Sequence, residues 1–347
     1  MLKSLLLTPI NLAVKPFPAA KARLDAAKIV LKRWVKLRHF ISDLLHAKSF
    51  MFWSAQDTSY AKLSSELIFQ YHKLEKGLCM AGPRRFFGRD PVIATCRLVK
   101  RWSGAGLPSN DPVFLGAIET LRAYRDRLAV TPPPPEHATQ IWSLLNECLS
   151  LAPPTPSLTT PRPYQPSAGT AATFDLLCAQ RRSVRAYTTD VVPISLIHEA
   201  IATAQLSPSA CNRQPWRLHI YRDPQRTKHL LELQNGNAGF GHQLTTLLVV
   251  CADSRTFFDA TERNEPYVDA GLFVMSLLLA LQSRGLASCC LNWCVSPDTD
   301  QKGHDRGDIP SNEKIIMYLA VGYADAQAMV PRSPRRNLET VVTLHEQ

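Results

Sequence analysis

Three arginines and a serine within five residues form the first group in this sequence that could do chemistry. They are Arg181, Arg182, Ser183 and Arg185, at the end of a predicted helix. Arginine presents forked hydrogen-bond donors and a permanent positive charge, so the group suits a phosphate. A run of this kind in isolation is more often a solvated surface cluster, and the spacing alone does not separate the two interpretations.

A second segment, SPSACNRQPW at residues 207–216, joins a predicted helix to a predicted strand. Its small residues let the backbone approach a flat ring closely. The side-chain amides of Asn212 and Gln214 can satisfy both donors and acceptors on the edge of a heterocycle. The alternative is an ordinary loop in which these two amides hold the turn.

A third segment, PRSPRR at residues 331–336, follows a predicted strand and repeats the arginine-rich pattern near the carboxyl terminus. Two arginine clusters that flank core elements could converge on one phosphate. The spacing leaves open which of Arg332, Arg335 and Arg336 would take part.

The elements that must position these segments alternate between helix and strand after residue 171. Helical periodicity covers residues 174–180 and 193–206. Apolar and β-branched runs predict four strands, at 216–221, 244–251, 287–292 and 315–322. Residues 268–284 are apolar on most faces and predict a buried central helix, so the fold class is α+β.

Charge and proline content divide the chain into three parts. Residues 1–130 carry 22 Lys and Arg against 9 Asp and Glu, whereas the remainder is nearly balanced. Ten of the 26 prolines lie within residues 131–170, and proline favours an extended spacer because it fixes φ and donates no hydrogen bond. We predict a basic, mainly helical extension at 1–130, a linker at 131–170 in which 141–151 could form one helix, and a domain at 171–347.

The extension contains a basic amphipathic helix at residues 22–45. Its apolar side comprises Leu24, Leu31, Trp34, Val35, Ile41 and Leu45, and its basic side Lys28, Lys32 and Lys36. We favour packing of this helix on its own domain, with a solvated basic face. Contact of residues 21–45 with an anionic membrane surface or a polyanion is the alternative. No nucleic-acid partner is predicted, because neither a stacking platform of aromatics nor a known binding module accompanies the charge.

Several groups that resemble other kinds of site are set aside, and no metal is predicted. Cys289, Cys290 and Cys294 lack the spacing of a zinc knuckle, and the His72–Glu75 pair has no second copy, as a diiron site would require. The glycines of residues 236–241 lack the spacing of a dinucleotide fingerprint. Nine cysteines without a framework fit reduced thiols, and polar residues interrupt the apolar start of the chain. We therefore expect a cytoplasmic protein, with any membrane contact peripheral.

In combination and in this order, the three segments resemble the nitroreductase family of FMN-dependent oxidoreductases. Further similarities are the Gly236-Asn237 pair, the apolar helix at 269–286 and the GYA sequence that begins at Gly322. The resemblance covers residue 173 to the end, and YHKLEKGL at 71–78 is similar to a longer subset with an amino-terminal extension. It implies a mixed sheet around the central helix and a homodimer with two FMN molecules at the subunit interface.

The resemblance also implies a role for each site residue. Arg181 and Ser183, beside Arg182, would hold the ribityl phosphate, assisted by Arg335 and Arg336. Arg185 would lie at the N1–O2 edge of the flavin, where a positive charge stabilises the anionic reduced ring. The loop of Asn212 and Gln214 would place Pro208, Ser209 and Ala210 against the ring from the partner chain. Asn237 would meet the pyrimidine side, and Leu291 with Asn292 the edge near N5.

The implied reaction passes hydride from NAD(P)H to flavin N5 and then electrons to a nitro, quinone or other small acceptor. No catalytic side chain is predicted, because the cofactor carries the chemistry. Phe257, Phe258 and Tyr267 are candidates for lining the acceptor cavity or for sealing the dimer, and Asp269 for a helix cap or dimer contact. The alternatives are oxygen-dependent flavin breakdown, a biosynthetic dehydrogenation, or a non-catalytic dimer docked to a membrane or an acidic glycan.

Overall fold

The structure is a computed structural model that describes residues 18–80, 85–151, 169–331, 333 and 335–346. The start of the chain, residues 152–168 of the proline-rich stretch and Arg332 lie outside the described residues. The described part of the first half contains six helices: α1 (Pro18–Lys36), α2 (Arg38–Phe50), α3 (Tyr60–Cys79), α4 (Arg89–Gly104), α5 (Pro112–Val130) and α6 (Pro135–Ser150).

Helices α3 to α6 form a bundle with its own hydrophobic core. Side-chain caps begin two of them: the Ser59 hydroxyl accepts from the N–H of Lys62, and the Asp111 carboxylate from the N–H of Val113. Large side chains from different helices fill the centre, among them the fully buried Trp102 and Phe114. The extension is therefore a folded unit and not only a basic arm.

Helix α6 corrects the predicted linker at 131–170. It buries Ile141, Leu145 and Cys148 in the bundle core, at a spacing that places them on one helical face. The proline run before it is compatible with a helix because Pro135 occupies the first turn, where no backbone donor is needed. Residues 135–150 thus belong to the helical unit.

The second half contains the elements α7 (Ala171–Gln180), α8 (Ile194–Ala204), β1 (Trp216–Tyr221), α9 (Pro224–Leu231), β2 (Thr246–Asp253), α10 (Glu265–Ser283), β3 (Ala287–Asn292), α11 (Pro297–Gly307) and β4 (Glu313–Gly322). The strands form one sheet in the order β1-β2-β4-β3, and all three ladders are antiparallel. The α+β class is confirmed. Parallel pairing, which the predicted mixed sheet required, is confined among the described residues to one bridge between Ser183 and Ser288.

Helix α10 is the central helix that the sequence predicts. Its buried side carries Phe273, Leu277 and Leu281, which pack with α8 and one face of the sheet. It is also long and apolar enough to cross a bilayer, but half of that apolar stretch is buried inside the protein. Its other side leaves Val268, Leu272 and Met275 about half exposed, at 50%, 44% and 45%.

Candidate functional site

The predicted arginine group lies along the β3 edge of the sheet. After α7 the chain runs beside β3 and β4: the N–H of Val184 donates to the carbonyl of Ser288 at 3.1 Å, and that of Thr188 to Tyr323 at 3.0 Å. These bonds fix the backbone that carries Arg181, Arg182, Ser183 and Arg185. They form because the segment completes the edge of the sheet, whose N–H and C=O groups would otherwise lack partners.

The charge of this group is unbalanced. Both described side-chain hydrogen bonds of this group are to backbone carbonyls. Arg182 donates to the carbonyl of Arg181 at 2.9 Å, and Arg185 donates to the carbonyl of Ser183 at 3.4 Å. In the part of the chain that the structure describes, no Asp or Glu forms an ion pair with Arg181, Arg182 or Arg185, although Arg185 is exposed. Three guanidiniums without an acidic partner among the described residues can attract an anion.

The end of β3 and the loop at residues 234–237 lie beside this group. Buried Gln234 connects them, since its Nε2 donates to the carbonyl of Asn292 at 3.1 Å and its Oε1 accepts from the N–H of Gly236. Asn237 donates from Nδ2 to the carbonyls of Leu231 and Gln234, at 2.8 and 2.6 Å. The amide donors of Asn237 therefore hold the loop.

Leu291 requires a correction within this region. Asn292 is exposed at the strand end, as a ring contact needs, but the Leu291 side chain is only 2% exposed. It packs in the core on the opposite face of the sheet, because successive side chains of a strand point to opposite faces. Only the backbone of Leu291 remains for a contact near N5.

The second predicted segment, residues 207–216, is held against α10 and β2. The Ser207 hydroxyl lies 2.7 Å from that of Ser276, and the N–H of Ala210 donates to both carboxylate oxygens of Asp269, at 3.0 and 3.1 Å. Burial raises the pKa of Asp269 to about 6, while the Ala210 N–H opposes that rise. Asp269 is thus a loop anchor, neither of the roles predicted for it.

The turn itself is held by its own side chains. The Ser209 hydroxyl accepts from the N–H of Gln214 at 3.0 Å, and Gln214 Nε2 donates to the Asn212 carbonyl at 3.2 Å. Cys211, Asn212 and Gln214 have φ values of 51°, 57° and 52°, in the left-handed region. Such strain in non-glycine residues persists only where the surroundings over-determine the backbone, and it is common at functional sites. Pro208 is exposed beside this turn.

The two predicted groups lie at opposite edges of the sheet. The 207–216 loop leads into β1 and the arginine group borders β3, so three interstrand spacings, roughly 14 Å, separate the two edges. One chain therefore does not bring the loop and the arginines to the same face of a single ring.

Arg213, which lies inside the loop segment, has an unpredicted structural role. Its side chain is fully buried, with Nη1 and Nη2 donating to Glu262 at 2.9 and 2.5 Å and Nε donating to the carbonyl of Ala210 at 3.0 Å. Four aromatic rings surround the guanidinium within 6 Å: Trp53, Phe69, Phe257 and Phe258. We call these residues the Arg213 cage. It connects the helical unit to the second domain.

The cage corrects two of the predicted cavity residues. Phe257 is fully buried against Ala47 and Met51, and Phe258 packs on Trp53 and Phe69. Their side chains therefore join the helical unit to the domain and do not line a cavity for an acceptor.

Tyr267, the third predicted residue, lines a cavity of about 330 Å³ between α2 and the second domain. The other walls include Phe40, Leu44, His46 and Lys314. Lys314 Nζ donates to Asp43 at 2.7 Å. Burial would lower the pKa of Lys314, but Tyr267 and Asp43 together raise it.

His46 closes the inner wall of this cavity. Its Nε2 lies 2.8 Å from the Ser254 hydroxyl. Burial, followed by the positive charge of Lys314, lowers the pKa of His46 to about 4. Burial also raises the pKa of Tyr267. The cavity therefore presents a neutral imidazole and a neutral phenol.

Among the described residues, Arg335 and Arg336 make no contact with the arginine group at the β3 edge. Arg335 and Arg336 are exposed, and the described bond of Arg335 is to the carbonyl of Ser333. Over the described ranges, no hydrogen bond or ion pair joins either residue to residues 181–185. Phosphate binding by Arg335 and Arg336 stays a prediction.

One group of side chains has donors of the type that metals use. His219, Cys251 and Glu313 place a nitrogen, a sulfur and an oxygen within 4.8 Å of one another. His219 and Glu313 already hydrogen-bond at 2.7 Å, and burial raises the pKa of the Cys251 thiol well above its ordinary value. The imidazole and the carboxylate are therefore already paired with each other.

The second half of the chain is similar to known proteins. The profile of the nitroreductase family matches residues 178–235 and 224–323. Nitroreductase NfnB of Mycolicibacterium smegmatis is 25% identical over 226 residues, which span 51% of this chain and 94% of that protein. An iodotyrosine deiodinase of Haliscomenobacter hydrossis is 28% identical over 194 residues, 48% of this chain and 85% of the deiodinase.

A solved structure, described as an FMN-dependent nitroreductase of Clostridium difficile R20291, is also similar. It superposes with a TM-score of 0.39 at 20% sequence identity and covers 45% of this chain and 90% of its own.

Proposed function

Residues 178–323 form a domain of the nitroreductase family, a family of flavin-dependent oxidoreductases, and from this we propose that the protein binds FMN and reduces a small acceptor with electrons from NAD(P)H. The observation that carries the proposal is the unbalanced charge of Arg181, Arg182 and Arg185 beside the β3 edge. When bound, FMN supplies hydride transfer at N5. The protein supplies binding, orientation and electrostatics.

The residues at the β3 edge fit a phosphate-bearing cofactor. Arg181 and Arg182 carry donors without acidic partners among the described residues, and Ser183 adds a hydroxyl on a backbone fixed by the Ser288 bridge. Doubly charged phosphate would satisfy these groups by charge-assisted hydrogen bonds. Arg185, four residues from Arg181, would reach the ring and stabilise negative charge on it.

The complete site requires two chains in this proposal. The 207–216 loop and the arginines lie at opposite edges of the sheet, so a loop from a partner would cover the ring that the first chain holds. The exposed apolar side of α10, with Val268, Leu272 and Met275, supports a dimer contact next to that loop. Asp269 would then hold Ala210 in place for the partner's flavin.

The position of Tyr267 supports a proposed place for the acceptor. It lines the 330 Å³ cavity two residues before Asp269, which anchors the loop. Helix α2 supplies the opposite wall through Phe40 and Leu44. We propose that the acceptor enters here, so the helical unit would contribute to substrate choice.

A second candidate reaction is reductive removal of halogen from an aromatic ring. The named similarity to an iodotyrosine deiodinase favours it, and the same phosphate grip would serve both reactions. The two candidates differ in the acceptor and not in the residues at the β3 edge.

The test is an absorption spectrum of the purified full chain between 300 and 600 nm, before and after anaerobic NADH and NADPH. Flavin bands that bleach, and that recover with a nitroaromatic, would support the first candidate, whereas iodide release from iodotyrosine by the reduced protein would support the second. Arg181→Ala should weaken FMN binding by about 10- to 100-fold, the value of a charge-assisted hydrogen bond, and the matched Arg284→Ala should not. A purified protein that does not bind added FMN would overturn the proposal.

A further inference from the structure

Helices α1 and α2 expose an unusually apolar surface. Trp34, Phe40 and Leu44 are 67%, 71% and 66% exposed. The other large apolar residues that are more than 40% exposed here are Ile29, Val30, Leu31, Leu37, Ile41 and Leu45. Packing of this face on the protein's own domain, which the sequence favours, is therefore wrong for Leu31, Trp34, Ile41 and Leu45. A monomeric protein rarely exposes so many contiguous apolar side chains without a partner.

These residues form one continuous stripe. Leu37 joins the two helices with helical dihedrals, φ −62° and ψ −20°, so side-chain directions continue from α1 into α2. At 3.6 residues per turn, Val30, Trp34, Leu37, Ile41 and Leu44 share one side. The opposite side of α2 holds His46 and Ala47, which contact the second domain. The stripe, defined by Val30 to Leu45, thus lies on the outer side of the helix pair, and Phe40 and Leu44 at its edge also line the cavity against the second domain.

The charged residues around the stripe indicate what kind of surface binds it. Residues 21–48 contain eight Lys and Arg but only two Asp. Arg23, Arg33 and Lys48 are exposed and fall on or beside the same side of the helix. In a two-fold contact between copies the same basic residues would face one another, which is unfavourable, whereas an anionic surface neutralises them. The apolar side of α10 is a separate surface, available for the subunit contact.

We propose that α1 and α2 dock the protein onto an anionic lipid surface. The helix pair lies in the plane of the interface, with the stripe among the acyl chains and the basic residues at the headgroups. The second domain faces away from the bilayer because α2 holds it through its opposite side. The inference does not rest on flavin binding.

The test is flotation of the purified full chain with vesicles of phosphatidylcholine alone and of phosphatidylcholine mixed with phosphatidylglycerol. Binding should require phosphatidylglycerol and fall as salt is raised, since salt screens exposed charges. Trp34→Asp combined with Ile41→Asp should reduce the partition constant by about tenfold or more. Val191→Asp is the matched control, because Val191 is 59% exposed on the second domain.

Three results would overturn the proposal: equal flotation with both vesicles, equal flotation of the double variant and the wild type, or a double variant that is monomeric by light scattering where the wild type is a dimer. The last result would mean that a second copy covers the stripe. Circular dichroism of the variants checks folding. If the protein floats with the anionic vesicles but does not bind FMN, the lipid-docking proposal holds and the proposed function is wrong.

Discussion

The backbone N–H of Ala210 donates to both carboxylate oxygens of Asp269, at 3.0 and 3.1 Å. Asp269 is 2% exposed and lies on the buried side of α10. The contact fixes a loop in which three non-glycine residues have left-handed dihedrals. Helix α10 therefore sets both the core packing and the position of the predicted flavin contact.

Asp269→Asn should remove a pH dependence of stability. Burial raises the pKa of Asp269 from 3.8 to about 6, so the folded state binds more protons than the unfolded state between those pH values. Stability from this group is therefore full below pH 3.8 and falls by about 3 kcal/mol as pH rises through 6. The difference in free energy of unfolding between wild type and variant, from urea titrations at several pH values, should decline over that window. A difference independent of pH would contradict the assigned environment.

Arg213→Ala should destabilise the protein by about 3–5 kcal/mol, because it leaves Glu262 without its buried partner. A double variant with Glu262→Gln should lose less than the sum of the two single changes, since both act on one interaction. Urea unfolding provides the free energies. Arg284→Ala is the control: its pair with the exposed Glu199, at 3.5 Å, should contribute less than about 1 kcal/mol. If the losses in free energy of unfolding from the Arg213 and Glu262 changes are additive, the two side chains do not stabilise the protein through one shared interaction.

The second domain was largely predictable, and the contacts between units were not. The four strands and α10 follow from local apolar runs, and the loop residues Ser209 and Gln214 from their turn chemistry. Asp269 left a local signal, since it shares one helical face with Phe273 and Leu277 at i+4 and i+8. No local sequence pattern indicates the role of Gln234, because its hydrogen-bond partner Asn292 is 58 residues away.

The same reason explains the errors about the extension. Phe257 and Trp53 meet at Arg213 across about 200 residues, a distance that periodicity does not encode. Periodicity did identify the amphipathic helix at 22–45, but it does not state which surface covers the apolar side. Composition also predicted a linker where α6 forms. The apolar side chains that α6 buries stabilise a helix there in spite of the prolines that precede it.

Trp53→Ala should destabilise the protein by about 3 kcal/mol, whereas Phe52→Ala should change stability by less than about 0.5 kcal/mol. Trp53 packs on Phe69 and Phe258 and donates from Nε1 to the carbonyl of Arg255 at 3.1 Å. Phe52 is its neighbour but is 55% exposed. Thermal unfolding of the two variants measures the contrast. Equal shifts in Tm would show that the helical unit does not depend on the cage.

Arg185→Ala should leave the protein folded and make bound FMN harder to reduce. The guanidinium is exposed, and its one bond to the described residues is a long one, 3.4 Å, to the Ser183 carbonyl, so its loss costs little stability. A fixed positive charge beside the ring favours the reduced anion, and its removal lowers the midpoint potential. Arg185→Lys, which keeps the charge, should restore most of the potential in a spectroelectrochemical titration. An unchanged potential in the alanine variant would remove Arg185 from this role.

The contact between α2 and the second domain should loosen in acid because of His46. Burial lowers the pKa of His46 to about 4, so the folded state holds a neutral imidazole against Ser254, whereas the unfolded chain binds a proton near pH 6.5. The stabilising contribution is present above pH 6.5 and is lost as pH falls from there through about 4. Amide hydrogen exchange should therefore show less protection of residues 38–51 at pH 5 than at pH 7, after correction for the intrinsic rate. His46→Gln should flatten this dependence, and the exposed His198→Gln should not. Equal protection of 38–51 at both pH values would show that the imidazole does not control this interface.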